Sequence, residues 1–141
     1  MSLEVASFGL LSQIFLNLKS GNEKKAVTRY FGLKDVTILE NWMYCFSSVR
    51  NICAHHGRLW NRRLTANITF PKSPMYDFVT NSNIAPYKLY AAVSCMVYVM
   101  NIICPGDTFK EEFLAIMESS PFDERKAVGF PANWEKDPFW K

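Results

Sequence analysis

An all-α bundle of about five helices with one long Pro-, Asn- and Ser-containing loop is the fold class that this sequence predicts. Three observations lead there. Apolar residues recur at three- and four-residue intervals, Gly21, Gly32 and Pro105-Gly106 punctuate those stretches as helix stops, and no stretch alternates as a half-buried strand would. A length of 141 residues suits a single domain over 1–141, and 49% hydrophobic and 15% aromatic content excludes general disorder.

Leu3, Leu10, Leu11, Ile14, Phe15 and Leu18 fall on one face of a first helix running to about Lys19. A second helix begins at about Asn22, with Ala26, Val27, Tyr30 and Phe31 as its expected buried side and Gly32 as its stop. Thr37 and Glu40 have capping-box spacing, and Ile38, Trp42, Cys45, Phe46, Val49, Ile52 and Cys53 continue a helical stripe, so a motif helix is expected over about residues 37–60. From about 65 to 86 the composition shifts to Asn, Ser, Thr and Pro, and Pro71, Pro74 and Pro86 block continuous helix, which predicts a long loop with one short turn. Lys88 to Cys104 reads as a fourth helix, and Thr108 with Glu111 caps a fifth to about Ser119. The segment after Pro121 shows little regular pattern. Trp42, Trp60 and the aromatic residues of the fourth helix are expected in the core.

The charge of +3 and a pI near 8.7 say little by themselves about nucleic acid, but the distribution says more. No acidic residue lies between Glu40 and Asp77, while Arg50, Arg58, Arg62, Arg63 and Lys72 do. Cys45, Cys53, Cys95 and Cys104 lack CxxC spacing and no secretory leader precedes them, so reduced, mostly buried thiols and a cytoplasmic location are expected. The uncharged run 89–104 is shorter than the ~20 residues of a membrane span. It is expected to be a buried helix, with no membrane partner.

Inside the acid-free window stands Arg50-Asn51-Ile52-Cys53-Ala54-His55-His56-Gly57-Arg58-Leu59-Trp60-Asn61-Arg62-Arg63. On a helix Asn51 and His55 are neighbours, and Ala54 leaves room for Arg50 to lean toward the histidine. A guanidinium binds phosphate bidentately, an imidazole titrates near neutrality, and an amide orients a ring or a hydroxyl. Arg50, Asn51 and His55 are therefore the candidate catalytic set, with His56 as an alternative or supporting imidazole. Arg58, Asn61, Arg62 and Arg63 are the candidate RNA-binding residues. The bland alternatives are a solvated basic face and a surface histidine. Cys53, His55 and His56 find no second ligand pair at zinc spacing, so neither metal nor cofactor is expected.

The segment Arg50 to His55 resembles the motif of the HEPN superfamily, an arginine, a polar residue and a histidine after a short interval. The longer string RNICAHHGRLWNR is similar to the signature of the Abi-like (abortive infection, AbiD/AbiF type) family, and SFGLLSQIFLNL with AVTRYFGL resembles its preceding segment. Gly129-Phe130-Pro131, Trp134 and Pro138-Phe139-Trp140 resemble its closing segment, so the chain is similar to the C-terminal half of that family. The resemblance implies a HEPN-like bundle and a metal-independent endoribonuclease acting in phage defence as a toxin, with Arg50, Asn51 and His55 as site residues. It also implies a homodimer that shares its cleft. RNA is the expected partner, and an antitoxin or regulatory protein is a further candidate. The rival reading is a non-catalytic HEPN module that binds RNA or another protein.

Overall fold

A computed structural model describes residues 7–121, 123 and 125–141. Its helices are α1 (Phe8–Asn17), α2 (Asn22–Tyr30), α3 (Val36–Ala54), α4 (Leu89–Ile103), α5 (Phe109–Ser119) and the single turn α6 (Arg125–Val128). No strand occurs among the described residues, so the all-α class holds. The segment expected to be patternless after Pro121 instead contains α6 and two 3₁₀ turns, Trp134–Lys136 and Pro138–Trp140. Leu3 of the expected first stripe lies outside the described residues.

Helix α3 organises the bundle by packing on α1, α2 and α4. Its stripe buries Leu39, Trp42, Cys45 and Val49, while α4 is buried almost throughout from Tyr90 to Tyr98. Burial pushes the Cys45 thiol up to about 11 and holds that of Cys95 well above its ordinary value, so both act as apolar filler. Cys53 and Cys104 are exposed, which corrects the expectation of mostly buried thiols. Trp60 also departs from the expected core, being 42% exposed beyond the end of α3.

The second helix has the expected bounds, but of its expected buried side only Phe31 packs against the core. Ala26, Val27 and Tyr30 are exposed, whereas Lys24 and Thr28 are buried. The Lys24 ammonium donates to the carbonyls of Leu16 and Leu18 at 2.9 and 3.3 Å and pairs with Glu40 at 2.5 Å. One cation thus satisfies carbonyls at the end of α1 and ties α2 to α3, and this offsets the desolvation that buries it. Glu40, so engaged, is not the reciprocal partner of a capping box. The N-cap of α3 is Asp35, whose carboxylate accepts from the Thr37 amide and hydroxyl, both at 2.9 Å, and these bonds hold its pKa below the ordinary value.

The long segment between α3 and α4 contains no helix, as expected, but it is pinned. Asn41 and Trp42 donate to the carbonyls of Asn67 and Thr69 at 2.9 and 2.8 Å, and the Thr69 amide returns a bond to Asn41. Leu64 and Ile68 bond back to Tyr87 and Pro86, both at 2.8 Å. At the C-terminal end the buried Asp137 carboxylate accepts from the amides of Thr80, Asn81 and Phe139, which draws Phe139 and Trp140 into the core.

Candidate functional site

The last turn of α3 decides where the motif side chains go. The helix stops at Ala54, short of the expected reach to about residue 60, because the next three residues form a Schellman turn. The Gly57 amide bonds to the Ile52 carbonyl at 2.7 Å and the His56 amide to the Cys53 carbonyl at 3.0 Å. His56 occupies the left-handed position at φ +52°, a conformation in which histidine is over-represented among non-glycine residues. His55 is the C-cap, its amide bonded to the Asn51 carbonyl at 3.1 Å. Gly57 is required by space: a Cβ there would stand 2.9 Å from Ile52 Cγ2 and 3.0 Å from the Ile52 carbonyl oxygen.

The turn separates the two histidines and gives each a different expected response to substitution. Gly57→Ala is expected to lower stability by about 2 kcal/mol, since the turn must shift to admit the methyl. His56→Gly is expected to raise it by about 1 kcal/mol, because glycine removes the left-handed strain. Thermal unfolding of both variants checks the pair. A stability loss in His56→Gly would mean that the imidazole, rather than the backbone position, matters to the fold.

Between α1 and the C-terminal half of α3 lies a cleft of about 620 Å³. Asn51, His55 and Arg62 line it from the motif side, with Tyr44 and Ser48 further up α3 and Gln13 across on α1. Among the described residues no carboxylate lines it. Gly9 allows the close approach of the two helices that forms one wall, a Cβ at that position falling 3.3 Å from Ser47 Oγ. Arg50 is exposed and is not one of the lining residues, but its guanidinium donates to Asn51 Oδ1 at 3.2 Å and orients that amide. His55 is exposed and its ring has no hydrogen-bond partner.

The predicted residues therefore divide into those the fold gathers and those it does not. Arg50, Asn51 and His55 gather at the end of α3, and Arg62 joins them through the bend after Gly57. Arg58 is exposed beyond the helix and is not a lining residue. Arg63 stacks on the Tyr87 ring at 4.1 Å, and Asn61, at φ +48°, accepts from the Lys88 ammonium at 3.2 Å. Tyr44 is a lining residue that the motif did not reveal. The available signal was an aromatic ring at 54% exposure, off the apolar stripe of α3 and seven residues before Asn51. Among the described residues no group of three or more His, Cys, Asp or Glu side chains is placed to hold a metal ion.

A helical domain with an arginine, an asparagine and an exposed imidazole at a cleft that no carboxylate lines among the described residues is the class that this geometry defines. Residues 1–61 match the family model described as Abi-like protein. The match spans α1 to α3 and the whole Arg50 to His55 segment, while the likeness at Gly129-Phe130-Pro131 and Pro138-Phe139-Trp140 lies beyond it. No curated protein and no solved structure matches the chain. No helix among the described residues is long and apolar enough to cross a membrane.

Proposed function

We propose that this chain is the RNA-cleaving domain of an abortive-infection protein, working without metal. The observation that carries the reading is the cleft at the end of α3, where His55, Asn51 and Arg62 meet with no carboxylate among the described lining residues. In this reading the substrate's own 2′-hydroxyl attacks the adjacent phosphorus, and the bond to the 5′ oxygen of the next nucleotide breaks. His55 handles the hydroxyl proton. Arg50 and Arg62 stabilise charge on the phosphate oxygens, and Asn51, held by Arg50, orients the ribose or the ring. The products are a 2′,3′-cyclic phosphate and a 5′-hydroxyl.

One copy lines the cleft with a single imidazole, whereas the reaction uses a proton acceptor and a proton donor. A two-fold dimer with the motif ends of α3 face to face supplies the second set. Cleavage is expected to survive EDTA and to disappear in the Arg50→Ala, His55→Ala double variant. Mixed dimers of unaltered and His55→Ala protomers are expected to cleave at well under half the rate of the unaltered dimer, because they hold one imidazole where the reaction uses two. Cleavage that needs Mg²⁺, or full-rate cleavage by a monomer, contradicts this reading.

A further inference from the structure

The motif cleft is one end of a longer feature. A smaller hollow of about 260 Å³ shares Ser12, Gln13 and Tyr44 with it and continues between α1 and α3 to Thr37. Thr37 also lines a third cleft, which shares Lys34 and Asp35 with a fourth, of about 610 Å³, under α2. The run follows α3, whose 19 residues span roughly 28 Å. Along it Glu40, Tyr44, Ser48 and Asn51 recur on one helical face.

Charge is arranged unevenly along this groove. In the middle, Glu40 is neutralised by Lys24. At the far end stand Lys25, Arg29, Lys34 and Lys72, and Lys24–Glu40 is the sole salt bridge among the described residues, so none of the four has an ion-pair partner. Two carboxylates stand nearby: Asp35 is occupied by the α3 cap, and Glu23 lies beside Gly21. Both ends of α3 are thus cationic, and the exposed ring of Tyr44 sits between them, a spacing that suits a polyanionic strand with stackable bases.

From this arrangement we infer that single-stranded RNA runs along the α1/α3 groove and that Lys25, Arg29 and Lys34 clamp its phosphates at the end remote from the motif. The inference rests on the ribonuclease reading and adds a second anchoring point to it. Charge alone would also suit an anionic membrane, but the groove shape and the exposed tyrosine favour a strand.

The test uses 2′-O-methyl RNAs, which lack the attacking hydroxyl, in lengths of about 4 and about 12 nucleotides. The full chain is compared with a Lys25→Gln, Arg29→Gln, Lys34→Gln variant, whose three positions are exposed and whose folding circular dichroism verifies. The variant is expected to lose about tenfold or more in affinity for the longer RNA at ~0.15 M salt, with its salt slope lower by about 2, and to bind the shorter RNA unchanged. Equal affinity and slope on the longer RNA overturn the clamp while leaving the ribonuclease reading standing. Failure of the unaltered chain to bind either RNA overturns both. Loss of binding to phosphatidylserine vesicles with RNA binding intact assigns the cluster to a membrane surface and overturns the clamp.

Discussion

Replacing His55 with alanine is expected to lower RNA cleavage by about 10²–10⁴-fold, the range typical of losing a positioned general acid or base. The fold is expected to be unaffected. His55 is exposed, its ring has no partner, and its amide already makes the capping bond to Asn51 regardless of side chain. A surface substitution of this kind changes stability by no more than about 0.5 kcal/mol. The readout that separates catalysis from structure is therefore cleavage rate beside the unfolding midpoint. Cleavage unchanged in His55→Ala but abolished in His56→Gly would move the role one residue along, into the left-handed position of the turn.

Trp42→Ala is expected to cost about 4 kcal/mol of stability, the scale of deleting a large buried ring. The indole is fully buried, packs within 5.6 to 6.3 Å of Phe46, Phe78 and Tyr98, and donates to the Thr69 carbonyl at 2.8 Å. Its loss opens the core and also frees the segment between α3 and α4 that this bond holds. Trp42→Phe, which keeps most of the ring but loses the donor, is expected to cost about 1 to 3 kcal/mol. Denaturant unfolding followed by circular dichroism measures both. A cost below about 1.5 kcal/mol for the alanine variant would mean that the indole does not hold this segment to α3.

The contrast between Trp42 and Lys24 shows what the sequence made legible. Trp42 sits on a stripe repeating every three to four residues, and such a stripe needs no knowledge of a partner helix to be read as buried. Lys24 gave no such signal, because its burial depends on the Leu16 and Leu18 carbonyls and on Glu40, groups that only the docking of α1 and α3 brings within reach. The same docking turned Val27 and Tyr30 outward. Asp35 outcompeted the Thr37–Glu40 pattern as cap once Glu40 was taken by Lys24. The C-terminal turns were illegible for a similar reason, since Asp137 is satisfied by amides more than fifty residues away in sequence.

The site was legible in its residue types and less so in its geometry. Helical spacing placed Asn51 near His55, and that neighbourhood survives, although through a C-cap rather than a continuous helix. The expected helix ran past Gly57, but the chain turns before it, with His56 taking the left-handed place that glycine usually fills and Gly57 standing one position further along. The bend that follows sends Arg62 to the cleft and Arg63 to Tyr87, a split that helical spacing does not contain.

The most direct test of the central claim is end-group analysis of RNA cut by the purified chain in EDTA. Fragments carrying 2′,3′-cyclic phosphate and 5′-hydroxyl ends, absent with His55→Ala, are the expected result. No cleavage, or fragments with 5′-phosphate ends formed only when Mg²⁺ is added, would contradict it.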